Sequence, residues 1–219
     1  MFIGHYGVSY AAKAVNKQIP LWLLFIAVQL VDVAWAILVP LGIEKVRIVP
    51  GITATNPLDL YYMPYTHSLV GAALWSLLAY GAYRLWAGQG NARPHRAALI
   101  VALAVFSHWL LDLIVHRPDL PLYDDQYKLG LGLWNYPAPA LLLEIALLAG
   151  GMWLYLRATQ GQGFGARYGM PLLGAAMLAT QAIVFFGPPP PNAPALAATA
   201  LIGYLGFAAA AYWLEKKRR

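Results

Sequence analysis

Six apolar stretches, at about 20–40, 66–86, 97–116, 137–156, 170–187 and 194–214, decide what this chain can fold into. Each is long enough, or nearly so, to cross a hydrocarbon core about 30 Å thick. Pro20 and Pro40 bound the first, and Gly88-Gln-Gly90 with Arg93-Pro94 follows the second. Arg117-Pro118 ends the third, while Pro137 and Pro139 open the fourth. Glycines in 161–165 and prolines at 188–191 mark the last two boundaries. The composition agrees. Of 219 residues, 60% are hydrophobic and 11% charged, with a mean hydropathy of +0.56. A soluble domain carries about 25% charged residues, so this chain lacks the polar surface for a soluble globule. Disorder, a fibrous repeat and a disulfide-stapled domain are excluded too. The absence of cysteine removes thiol catalysis and thiolate metal sites. The expectation is an all-α polytopic membrane bundle. It is a single integral membrane domain over 1–219, with about six spans and a short N-terminal helix packed into the bundle.

The net charge of +6 has an explanation that involves no nucleic acid, because basic residues concentrate in loops that stay cytoplasmic. Lys13 and Lys17, Arg84, Arg93 and Arg96, Arg157 and Arg167, and the four basic residues at 216–219 fall on one side. Only Lys45, Arg47, Arg117 and Lys128 fall on the other. This predicts a cytoplasmic C-terminus and outward loops at 41–65 and 117–136. Tyr61, Tyr62, Tyr65, Trp109, Trp134 and Tyr136 fit an outer aromatic belt. Residues 1–19 read as a short helix rather than a signal peptide, because His5, Ser9 and Lys13 interrupt the apolar run. Gly4 and Gly7 allow it to pack closely.

Ionisable groups within membrane segments are expensive and default to functional candidates. Here they are His5, Asp32, His67, His108, Asp112, His116 and Glu144. His108, Asp112 and His116 follow one another at i, i+4 and i+8, which places them on one helix face. Imidazole and carboxylate at that spacing can close on a divalent cation, and so can a purely structural His–Asp pair. At about 1.5 Å per residue, Asp32 lies roughly 19 Å beyond a turn near residue 19, and His108 roughly 16 Å into its helix. If residues 2–17 fold back as a helix, His5 lies about 18 Å from the same turn. His5, Asp32, His67, His108 and Asp112 then share one level, toward the outer leaflet. If 1–19 instead lies on the cytoplasmic surface, His5 is excluded. A metal would neutralise the buried carboxylates, and one Asp could bridge two ions. Glu144 reads as a further ligand, a general base or a helix-packing group. Asn135 reads as a helix cap, and Ser9, Ser68 and Ser107 as packing or supporting residues. Asp59, Asp119, Asp124 and Asp125 are expected in solvent, with Asp59 also placed to line an entrance.

Gly4-His5, Asp32, Thr66-His67-Ser68 and Ser107-His-Trp-Leu-Leu-Asp112 together resemble the YdjM-like family of bacterial inner-membrane proteins described as metal-dependent hydrolases. The resemblance covers 1–156, a metal-site core, and leaves 157–219 as two additional spans. That family is grouped with zinc-dependent phospholipase C and the S1/P1 nucleases, all-helical enzymes that cleave phosphoesters at a three-zinc site. The resemblance implies zinc as the cofactor, in one to three ions. By order and spacing, Asp32, His67, His108 and Asp112 would hold one metal. His5, with Asp112 as a bridge, would contribute to a second, leaving His116 or Glu144 for a third. It also implies a metal-activated water acting on a membrane lipid or small phosphoester; Asp112 and Glu144 are the candidate catalytic residues. Tyr62 and Met63 stand where many relatives carry His-Arg, and Asp32 where many carry two acids. Two other classes fit the residues: an ion or proton carrier, and a non-catalytic scaffold with a structural His–Asp cluster. A carrier needs acids along a path through both leaflets, and the inner half is nearly bare of them.

Overall fold

The computed structural model describes residues 1–88 and 94–218. Part of the expected second turn, with Arg93, and Arg219 lie outside the described residues. The described residues form eight α-helices: α1 (Ile3–Val15), α2 (Leu21–Val28), α3 (Leu30–Leu38), α4 (Leu69–Ala87), α5 (Pro94–Val115), α6 (Pro137–Ala158), α7 (Phe164–Phe186) and α8 (Ala193–Glu215). Local signals set several of their ends. Ser68 caps α4 by accepting from the Gly71 amide at 2.9 Å, and Asn192 caps α8 through the Ala195 amide at 2.8 Å. Proline opens α6, where its missing N–H costs nothing.

α5, α6, α7 and α8 are long and apolar enough to cross a membrane, as befits a membrane protein. The pair α2 and α3 qualifies as a fifth span if taken together, although it bends by 55° at Gln29. The 19-residue α4 falls outside that set, since Arg84 and its Trp and Tyr residues dilute an otherwise apolar run. The apolar side chains that remain exposed on the long helices, Leu77 and Leu78 on α4, Ile183 on α7 and Ile202 on α8, suit lipid contact.

The short N-terminal helix is the axis of the molecule. Ile3, Tyr6 and Tyr10 on α1 are fully buried, and Lys13 is nearly so. α1 runs against α6 along most of its length and also meets α2 and α5. A Cβ added to Gly7 would lie 2.1 Å from the Leu147 carbonyl oxygen, and one added to Gly151 would lie 2.0 Å from the Gly7 carbonyl oxygen. Two backbones touch there, which is what small residues permit between membrane helices. At the far end of α1, Lys13 donates to the carbonyls of Lys17 and Ile19 at 2.7 and 2.8 Å and pairs with Glu215. Glu215 also accepts the Leu21 amide at 2.8 Å, so the ends of α1, α2 and α8 are tied together.

The loop 41–65 is not only a loop. It contains a two-stranded antiparallel sheet, β1 (Lys45–Ile48) and β2 (Leu58–Tyr62), with Arg47 opposite Asp59 and Ile48 opposite Leu58. The segment 117–136 folds against it. Thr55 donates to the Trp134 carbonyl at 2.9 Å, and Lys128 to the Tyr61 carbonyl at 2.8 Å. Together these segments cover one end of the bundle.

Candidate metal centre

The bend at Gln29 is the local feature that makes the site possible. It has no Pro or Gly; Gln29, fully buried, donates its side-chain amide to the Phe2 carbonyl at 3.2 Å. The Val28 carbonyl, at the bend, accepts a hydrogen bond from His108 Nδ1 at 2.6 Å. One turn beyond the bend, Asp32 faces His67 and His108, with Oδ1 at 3.2 and 3.7 Å from their Nε2 atoms.

Asp112 is the hub. Its Oδ2 lies 3.2 Å from His108 Nε2, 3.3 Å from His116 Nε2 and 3.9 Å from His67 Nε2. Its Oδ1 lies 3.2 Å from His5 Nε2 and against the Met1 α-amino nitrogen. The His5 and His108 rings stack, 3.9 Å between centroids. Three helices and the segment before a fourth therefore deliver five ligand-type side chains to one place: His5 from α1, Asp32 from α3, His108 and Asp112 from α5, and His67 from just before α4. His116 follows directly on α5.

The far side of each imidazole fixes its chemistry. A carbonyl can only accept, so His108 Nδ1 carries the proton that Val28 receives. His116 Nδ1 donates to Asp119 Oδ1 at 2.8 Å. His67 Nδ1 sits 2.7 Å from Thr66 Oγ1, whose own hydroxyl donates to Glu44 Oε2 at 2.6 Å, so the ring donates there too. In the neutral form all three rings thus turn a bare Nε2 lone pair toward the Asp112 carboxylate. Lone pair facing lone pair is repulsive. Either the rings are charged or a cation sits between them. This arrangement, with the outer nitrogen tied to a carboxylate, carbonyl or hydroxyl, is the support that metal-binding histidines receive. His108 Nε2 and His5 Nδ1 are buried without a hydrogen-bond partner.

Among the described residues, two trios have ligand atoms within 4.8 Å of one another: His5, His108 and Asp112, and Asp32, His67 and His108. Bonds of about 2.0–2.2 Å in a tetrahedron place ligand atoms roughly 3.3 Å apart, and most of the separations here are close to that. Nitrogen and carboxylate oxygen without sulfur suit zinc and neighbouring divalent ions. Both trios use His108, and one Nε2 serves one ion. Asp112, with two oxygens facing different partners, is the residue able to serve two. His116 stands outside both trios.

Glu144 is buried beside this cluster but occupied. Its carboxylate accepts the Phe2 amide at 3.0 and 3.1 Å and the Gly4 amide at 2.7 Å, so it holds the start of α1. Asp59 and Asp119, expected in solvent, are buried. Asp59 pairs with Arg47 and Arg117, while Asp119 joins Arg117 Nε at 3.2 Å to His116. Asn135 does not cap α6; its amide turns back to the Gly132 carbonyl at 3.2 Å. Ser9, Ser68 and Ser107 bond to backbone. Sequence reasoning missed Glu44 and Tyr204. Glu44 is the one acid at the edge of an apolar span that also gathers the Tyr65 and Thr66 amides, at 2.8 and 2.9 Å. Tyr204, from α8, donates to Asp32 Oδ2 at 3.0 Å, so the cluster draws on residues beyond 156.

The Thr66→Val variant tests the support directly. It keeps His67 and the shape while removing the hydroxyl between His67 and Glu44. Metal affinity, measured by competition with a chelator, is expected to fall about 10- to 100-fold. An unchanged affinity would mean that His67 binds nothing.

No family model, curated protein or solved structure matches this chain.

Proposed function

We propose that this protein is a membrane-embedded metal-dependent hydrolase of phosphoester bonds, with a lipid headgroup as the first substrate class to test. The observation that carries the metal reading is the set of three imidazoles, each anchored through Nδ1, converging on one carboxylate. The hydrolase reading rests on the motif resemblance. We assign Asp32, His67, His108 and Asp112 to a first ion and His5 with Asp112 to a second, zinc being the first candidate. When bound, such an ion supplies Lewis acidity toward a phosphoryl oxygen and a water acidified to near neutrality. The chain's own contribution is to fix the ligands, keep the cluster buried and admit the substrate.

Access favours a lipid. Asp32, with 15% of its side chain exposed, is the most open member of the cluster, and it lies between α3 and Tyr204 of α8. His5, His67, His108 and Asp112 are each at most 5% exposed. An opening at Asp32, beside α8, would admit a lipid headgroup laterally. A through-path for ions is less well supported. Between the cluster and the Lys13–Glu215 pair, Tyr6, Tyr10 and Phe25 close the interior, with ring centroids 4.7 and 5.3 Å apart. We place six spans in the membrane, counting α2 with α3 and including α4. The C-terminus is then cytoplasmic and the cluster lies toward the outer leaflet of a bacterial inner membrane.

The test is hydrolysis of phospholipids and of a soluble phosphodiester by the purified protein, with zinc or after chelation. Release of phosphorus-containing product that stops on chelation supports the proposal; none from any lipid with metal bound overturns it. Glu144→Gln separates two roles. The variant keeps the carbonyl that receives the Gly4 amide, so bound metal and turnover should survive within about threefold while stability drops by about 1–3 kcal/mol. A loss of activity of 10²–10⁴ with metal retained would make Glu144 the general base instead.

A further inference from the structure

We propose that the end of the bundle opposite the His–Asp cluster binds the headgroup of an anionic phospholipid, in a cavity of about 1320 Å³ between the ends of α6, α7 and α8. Arg167, Lys216 and Lys217 line it together with Gln160, Phe164 and Tyr168. Among the described residues, no carboxylate lines it. Glu215, next in the chain to Lys216, is committed to Lys13 and the Leu21 amide. Among the described residues, none of Arg157, Arg167, Lys216 and Lys217 forms an ion pair. These cations are therefore gathered without an anionic partner among the described residues.

The cavity is built rather than incidental. Arg218, also in its wall, spends its guanidinium on the carbonyls of Leu156, Thr159 and Ala166, fixing the chain end to α6 and α7. Lys216 Nζ rests 3.9 Å from the Tyr212 ring centroid and 4.7 Å from that of Trp213. Arg167 lies over Tyr168 at 5.4 Å and Arg157 over Trp153 at 4.8 Å. Exposed Trp153, Phe164, Tyr168 and Trp213 ring this end as an interfacial aromatic belt does, which puts the cavity at headgroup depth. Basic pockets between helix ends at that depth suit acidic headgroups. The exposed apolar flanks of α7 and α8, Leu172 and Leu205, would carry the acyl chains. This site is independent of the metal reading and its chemistry.

The experiment titrates phosphatidylglycerol or phosphatidylcholine into the purified full chain in neutral detergent and counts bound lipid by native mass spectrometry. We expect one phosphatidylglycerol retained and no comparable phosphatidylcholine. The Lys216→Gln/Lys217→Gln pair should weaken retention about 25-fold, a factor of roughly five per cation near a membrane surface. Arg167→Gln, on a different helix, should weaken it about fivefold. Arg84→Gln/Arg96→Gln removes two cations that lie outside the cavity and should change it less than twofold. Equal retention of both lipids, equal weakening by the Arg84/Arg96 pair, or displacement of the lipid by inorganic phosphate at matched phosphorus concentration would each overturn the proposal.

Discussion

The Asp112→Asn variant should lose every bound divalent ion, and with it the response of thermal unfolding to chelators. Asp112 is the residue on which His5, His67, His108 and His116 all converge, through both of its oxygens. An amide nitrogen at one of those positions carries protons where a ligand must carry a lone pair. An ion present at 100 to 1,000 times its dissociation constant stabilises the folded state by about 2.7–4 kcal/mol. The wild type should therefore melt lower after chelation, while Asp112→Asn melts at one temperature with or without chelator. Asp32→Asn should behave differently. It breaks the trio of Asp32, His67 and His108 but leaves His5, His108 and Asp112 in place, so a weakened ion should remain. Identical behaviour of the two variants would remove the distinction between a first and a second position.

The second large effect concerns two neighbouring glycines. Gly151→Ala should severely destabilise the protein, whereas Gly150→Ala should be nearly silent. A Cβ at 151 would sit 2.0 Å from the Gly7 carbonyl oxygen and 2.6 Å from its carbon, both backbone atoms. At 150 nothing lies within 4 Å. The clash can be relieved only by moving α1 away from α6, which also pulls His5 from Asp112 and the Phe2 and Gly4 amides from Glu144. Overpacking of this kind costs about 1–3 kcal/mol or more. Thermal unfolding in detergent reads the stability, and metal content reads the coupled loss at His5. If Gly150→Ala and Gly151→Ala melt alike, α1 is not held where the contact places it.

The helical bundle was legible because six runs of apolar residues leave few alternatives, and the shared face of His108, Asp112 and His116 because α5 is regular. The approach of His5 and Asp32 to that face was legible from rise per residue only on the condition that residues 2–17 fold back as a helix, and such arithmetic works where helices run roughly along one axis. The span count was less legible. Length and hydrophobicity single out α5 to α8, while α4 is diluted by Arg84 and aromatics, and the run between Pro20 and Pro40 conceals a 55° bend. Only Gln29, a polar residue amid apolar ones, hints at that bend, and its partner is the Phe2 carbonyl far away in sequence. Asp59, Asp119 and Glu44 read as solvated or unremarkable for the same reason. Their partners, Arg117, His116 and Thr66, meet them through loop folding that no local period encodes. Tyr204 lies in α8, where nothing in the sequence distinguishes it from packing aromatics.

The most direct measurement is elemental analysis of the purified, detergent-solubilised wild type, before and after chelation and zinc reloading, beside His108→Ala. The account predicts at least one tightly held divalent ion per chain, recovered on reloading and absent from His108→Ala, since both trios depend on that imidazole. A well-folded wild type that holds no ion after zinc is supplied would contradict it. The converging histidines would then be a charged structural network around Asp112, balanced in part by the Met1 amine.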